Sequence, residues 1–96
     1  MKRLQAAVRS DLNIYSVARL KEKFSAALDQ CDRLAIDLSG VKDLDSAGVQ
    51  LLVALKNEGR RQNKTIEYHS CSPEVLESLQ VFQLQPDLEV SPEREI

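Results

Sequence analysis

Leu4, Ala6 and Val8 alternate with Arg3, Gln5 and Arg9, a period of two that predicts a half-exposed strand over residues 3–9. Ser10-Asp11-Leu12-Asn13 is turn chemistry, because Asp and Asn side chains bond nearby backbone groups. From Ser16, a candidate N-cap, the period becomes helical: Val17, Leu20, Phe24, Ala27 and Leu28 share a stripe roughly 100° wide. Lys21, Glu22, Ser25 and Ala26 then face mostly outward, so this helix covers a sheet. The run Leu34-Ala35-Ile36-Asp37-Leu38 is too short for a helix and suits a central strand covered by helices. A connection from Ser39 to Asp45 leads into a second helical segment, from Ser46 as far as Gln62. Thr65-Ile66-Glu67-Tyr68 reads as a strand rich in β-formers. Ser72-Pro73-Glu74 opens a third helix with Ser72 as its cap, and Val75, Leu76 and Leu79 form its apolar stripe. Pro86 breaks the chain beyond that helix, and Leu88-Glu89-Val90 is a short edge strand or an ordered tail.

Alternating strands and helices make an α/β domain, with parallel pairing through right-handed crossovers. The 96 residues supply one core and no second domain, and neither repeats nor linkers divide them. Thirteen basic against fifteen acidic residues give a net charge of −2, which excludes a general electrostatic grip on nucleic acid. No apolar run approaches the roughly 20 residues of a membrane span, and the first residues carry no signal-peptide core. Membrane insertion and export are therefore not expected, and the chain reads as cytoplasmic. Cys31, Cys71 and His69 show no metal-ligand spacing, so no metal or cofactor is expected and both thiols read as structural.

The segment beginning at Ser46 carries more than a scaffold needs. Gly48, Val49, Leu51, Leu52, Val53 and Leu55 project over roughly 180–200°, about twice the stripe of the first helix. Half of that arc packs on a sheet; the rest meets either a neighbouring helix of the same domain or a partner protein. Asp45-Ser46 delivers a hydroxyl to the helix start. Ser and Asp are both good N-caps, which is one reading of the pair. The other is phosphorylation, since free N–H groups and the helix dipole tolerate a phosphate there while the added charge alters the surface around it.

Ile36-Asp37-Leu38-Ser39-Gly40-Val41, then Leu44-Asp45-Ser46-Ala47-Gly48-Val49 and Leu51-Leu52, resemble the signature of STAS domains, the family of bacterial anti-sigma factor antagonists. Ser10-Asp11-Leu12-Asn13-Ile14-Tyr15-Ser16-Val17 is similar to the family's Gly-Glu-Leu-Asp segment before its first helix, and Ser72-Pro73-Glu74-Val75 to the start of a later helix. The resemblance implies a small STAS-like fold, a mixed and mostly parallel sheet of about four strands with helices on one face. It implies a single domain over residues 3–90 and a loose tail over 91–96. Ser46 falls on the family's phosphoacceptor position. Family members sequester a serine kinase that is also an anti-sigma factor, release it when phosphorylated, and are reset by a metal-dependent Ser/Thr phosphatase. Catalysis and nucleotide then belong to the partners, and this chain is not an enzyme. Asp43, Asp45, Ala47, Gly48, Val49, Gln50 and Asn13 are the expected partner-binding residues. Two positions depart from the pattern: Ser10 stands for its Gly and Asn13 for its last Asp, and the N-terminal strand of larger members is shortened or absent.

Two other branches of the family share the surface. One is the small cytoplasmic STAS subunit of a bacterial phospholipid-transport ABC complex, with Asp-Thr in place of Asp-Ser, which docks on an ATPase subunit without a phosphorylation cycle. The other is the single-domain STAS regulator of chemotaxis or biofilm signalling. Outside the family, Asp-Ser before a helix also marks acyl carrier proteins, but the strand Leu34–Leu38 argues against that all-helical fold. A serine hydrolase would want Gly-x-Ser-x-Gly and a His partner; the first Gly is missing here.

Overall fold

The computed structural model describes residues 2–81. They form β1 (Arg3–Ala7), α1 (Val17–Asp29), β2 (Arg33–Asp37), α2 (Ser46–Arg61), β3 (Thr65–His69) and α3 (Pro73–Val81). The strands lie in the order β1-β2-β3, all parallel, with Leu4 beside Leu34 beside Ile66 and Ala6 beside Ile36 beside Tyr68. Parallel neighbours need crossovers, and two right-handed crossovers in the same direction put α1 and α2 on one face. Leu34, Ile36, Ile66 and Tyr68 supply that face of the core, and Leu20, Phe24 and Leu28 of α1 close over it. From α2 come Val49, Leu51, Leu52 and Leu55, and from α3 Val75 and Leu79.

The α/β class and the single layer of helices stand as the sequence pattern predicts. The sheet differs: among the described residues it has three strands and no antiparallel pair, where a mixed sheet of about four was expected. The candidate strand Leu88–Val90, the domain boundary at residue 90 and the tail 91–96 lie outside the described residues. The first strand also ends two residues early. Val8 still donates its N–H to Asp37 O (3.0 Å), but its side chain is buried as the chain turns over the end of the sheet.

The three serines expected to open helices behave differently. Ser72 accepts Val75 N–H (3.3 Å) at the start of α3 and is a cap in the ordinary sense. Ser16 occupies the N-cap position of α1, yet its hydroxyl makes no capping bond. It points backward, donating to Asp11 O (2.7 Å) and accepting Asn13 N–H (3.2 Å), and so closes the preceding turn. At α2 the cap is Asp45, whose carboxylate accepts Gly48 N–H (2.9 Å), and Ser46 is the first helical residue.

The wide apolar arc of α2 is covered by its own domain. Gly48, Val49, Leu51, Leu52 and Leu55 are buried and Val53 is half-buried, because α2 is wedged between α1 and β3 and touches both. A helix with neighbours on two sides needs an arc that wide. The apolar residues of that arc are thus taken up by the domain's own packing.

Candidate functional site

Two connections run side by side above the carboxyl end of the sheet and deliver the site. Leu12 donates its N–H to Asp43 O (3.1 Å) and accepts Asp45 N–H (3.1 Å), so Leu12 and Leu44 form an isolated parallel bridge. Asp11 reinforces it: one carboxylate oxygen accepts the N–H groups of Lys42 (3.2 Å) and Asp43 (3.1 Å). The approach of α2 to this bridge is close enough to require glycine. A Cβ on Gly48 would stand 2.4 Å from Leu12 O and 2.8 Å from Leu44 Cδ1.

Asp45 serves both sides. One carboxylate oxygen caps α2 through Gly48 N–H, and the other accepts Ile14 N–H at 3.2 Å. Next along the turn, Asn13 Oδ1 accepts Tyr15 N–H (2.9 Å), an Asx turn that leads into α1. The backbone of this turn is thus satisfied by side chains, while its own apolar side chains are turned out: Ile14 is 67% and Tyr15 92% exposed. Among the described residues they are the large hydrophobic side chains on display. An apolar groove of about 230 Å³ lies nearby between α1 and α2, lined by Val17, Ala18, Lys21, Ala47, Gln50 and Leu51.

Ser46 sits at the centre of these features. It is exposed, and because Asp45 does the capping, its hydroxyl is left free of that duty. The sequence left cap and modifiable hydroxyl as alternatives at Asp45-Ser46; in the structure Asp45 is the cap and Ser46 is an exposed first helical residue. Asp43, Asp45 and Gln50 are exposed around it, and Ala47 and Asn13 are half-buried. Gly48 and Val49 face the other way. Val49 is 4% exposed and packs in the core, and Gly48 abuts Leu12, so neither side of the helix offers them to a partner. The sequence places Ile14 and Tyr15 in the segment before the first helix but does not mark them as exposed. Their signal was two adjacent apolar residues inside a turn, outside any helical or strand period.

The groups with strongly shifted protonation lie elsewhere. Burial raises the Tyr68 phenol, which donates to Leu52 O (2.7 Å) in the core. Burial also pushes the Cys71 thiol up to about 11, so at neutral pH it is not a thiolate nucleophile. Hydrogen bonds from Arg61 and Gln62 hold the Glu58 carboxyl down at about 2, on the exposed side of α2. Among the described residues no group of three His, Cys, Asp or Glu side chains could hold a metal ion. No described helix is long and apolar enough to cross a membrane. A hollow of about 290 Å³ lies on the sheet face away from the helices, toward the carboxyl ends of the strands, beside Gln5, Arg9, Asp37, His69 and Ser70. Ser70 Oγ there is buried and makes no hydrogen bond among the described residues.

Comparison with known proteins adds three findings. A family model described as "Mlab, STAS domain" matches residues 2–89. The fold is similar to that of the anti-sigma factor antagonist SpoIIAA in its unphosphorylated form, with a TM-score of 0.77 at 19% identity, covering 98% of this chain and 81% of that one. It is similar also to a sulfate transporter family protein from Wolinella succinogenes, with a TM-score of 0.79 at 14% identity, covering 95% of this chain and 77% of that one. No curated protein matches the chain by sequence.

Proposed function

The chain belongs to the STAS family, and we propose that it is a protein-interaction module whose docking is regulated by reversible phosphorylation of Ser46. In its unphosphorylated form it binds a cognate serine kinase that is also an anti-sigma factor, and a metal-dependent Ser/Thr phosphatase resets it. The observation that carries this reading is that Ser46 is exposed at the first position of α2 while Asp45 supplies the cap. A phosphate on Ser46 would add about −1.5 to −2 charges beside the start of a helix that is already secured. The N-terminal N–H groups and dipole accommodate that charge at an exposed site to the extent of roughly 0.3–1 kcal/mol, so the fold survives the modification. The surrounding surface does not stay the same. Asp43 and Asp45 already make it acidic, and a phosphate set between them and the apolar Ile14–Tyr15 turn opposes an apolar partner by desolvation and repulsion.

The test is direct. Mixed with ATP and its cognate serine kinase, the chain should gain one phosphate by intact mass, and Ser46→Ala should gain none. Phosphate appearing on another residue, or on the Ser46→Ala chain, contradicts the assignment.

A second reading uses the same surface without the phosphate: docking on the ATPase subunit of a phospholipid-transport ABC complex. What favours it is that Ile14, Tyr15 and the α1–α2 groove offer an apolar contact needing no modification, and that Asn13 is engaged in holding its own turn. Under this reading the chain co-purifies with the ATPase subunit, and Ser46→Ala changes nothing.

A further inference from the structure

Four backbone N–H groups define the turn that displays Ile14 and Tyr15, and three of them are held from within the turn. Asn13 N–H goes to Ser16 Oγ, Tyr15 N–H to Asn13 Oδ1, and Ser16 N–H to Asn13 O (3.0 Å). Ile14 N–H is the exception: its acceptor is Asp45 Oδ2, thirty-one residues away and next in sequence to Ser46. The same carboxylate holds the start of α2 through Gly48 N–H. We propose that Asp45 couples charge on Ser46 to the exposed Ile14–Tyr15 turn, so that phosphorylation loosens the turn's apolar side chains as well as recharging the surface. This rests on the reading of Ser46 as the modified residue.

The coupling follows from competition for donors and from repulsion. A phosphoryl group on the first helical residue reaches the N–H groups of the first turn that have no partner within the helix, Gly48 N–H among them. That donor is the one Asp45 Oδ1 uses. Displaced from its cap and repelled by the adjacent dianion, the Asp45 carboxylate swings away, and Oδ2 leaves Ile14 N–H. The helix keeps its cap, now from the phosphate. The turn loses its tie to the other connection, and Ile14, already two-thirds exposed, has little packing to hold it. Bridge contacts through Leu12 remain, so the change stops at residues 13–16 and does not spread into the core.

The experiment is amide hydrogen exchange by NMR on the full chain, carrying either serine or genetically encoded phosphoserine at position 46. It needs no partner. Exchange at Ile14 should rise roughly tenfold on phosphorylation, the loss of one hydrogen bond to a charged acceptor, while Gly48 and Leu20 keep their protection. In the Asp45→Ala background, Ile14 should exchange fast from the outset and phosphoserine should add nothing. Asp45→Ser keeps a capping oxygen but cannot span both donors, so it should give the same result in a chain whose fold is secured. Unchanged exchange at Ile14 in the unsubstituted chain, or an equal increase with and without Asp45, overturns the coupling. Either of those outcomes leaves the phosphoacceptor reading intact, since that is decided by which residue gains the phosphate.

Discussion

The two ends of α2 are held in different ways. From the middle of the helix to its carboxyl end the contacts are packing and buried polar groups: the Tyr68 hydroxyl donates to Leu52 O, the buried Lys56 ammonium stands 5.7 Å from the Tyr68 ring centre, and Gly59 lies against Ile66. Lys64, just past the helix, reaches back to Leu28 O (2.7 Å). At the amino end the helix is fastened by charge. Asp45 holds Gly48 and Ile14, Asp11 holds Lys42 and Asp43, and the backbones meet around a glycine that leaves no room for a side chain. Packing in a core is indifferent to a charge added at the surface, whereas carboxylate-to-amide bonds at the surface are not. The difference makes the amino end the half of the helix sensitive to added surface charge and the carboxyl end the fixed half.

The largest effect that probes this contrast comes from the two buried glycines of the same helix. Gly48→Ala should lower stability by about 2–3 kcal/mol in urea unfolding, because the new methyl meets backbone that cannot move without breaking the Leu12–Leu44 bridge. At Gly59 the nearest atoms are 3.3 Å away, in the Ile66 side chain and at Lys64 O. There the gain in helix propensity, about 1 kcal/mol, offsets the crowding, and Gly59→Ala should stay within about 1 kcal/mol of neutral. Equal losses at both positions would erase the distinction.

A smaller effect sharpens it. Asp45→Ala and Tyr68→Phe should each cost about 1 kcal/mol, one by loss of a cap and the other by loss of a buried hydrogen bond. Only the Asp45 effect should shrink as salt is added, since that carboxylate is exposed and Tyr68 is fully buried. A Tyr68→Phe effect that varies with salt as strongly would contradict the division.

The smallest effect concerns the outer face of the carboxyl end. Glu58 is depressed from 4.5 to about 2 by hydrogen bonds from Arg61 and Gln62. A carboxyl lowered in the folded state stabilises above its unfolded value and loses that contribution as pH falls through its folded one. The loss should therefore run between about pH 4.5 and 2, be slight because the group is at the surface, and vanish in Glu58→Gln. Thermal melts across that pH window measure it.

The periodic elements were legible because periodicity and burial express the same physics. Leu20, Phe24 and Leu28 were predicted as the buried stripe of the first helix and are buried. Helix starts were less so: Ser16, Ser46 and Ser72 carry one local signal, yet only Ser72 caps with its own side chain. Which oxygen caps depends on where the neighbouring connection runs, and Asp45 wins at α2 because Ile14 N–H lies within reach of its second oxygen. Val49 was misjudged for a related reason. A wide apolar arc looks the same whether a partner or a second element of the same fold covers it, and here α1 and β3 do. The exposure of Ile14 and Tyr15, within the segment that resembles the family's, was not legible because a turn has no periodicity to set them against. Their importance rests on exposure, which only the packed structure defines.

The central claim, that charge on Ser46 governs docking and not folding, is tested most directly by one titration. The proposed partner, a serine kinase that is also an anti-sigma factor, is titrated with Ser46→Ala and with Ser46→Asp by calorimetry, alongside thermal melts of both variants. The account predicts that Ser46→Asp binds at least roughly tenfold more weakly while the two chains melt within about 2 °C of one another. Equal affinities, or a weaker affinity matched by a collapse in melting temperature, would contradict it.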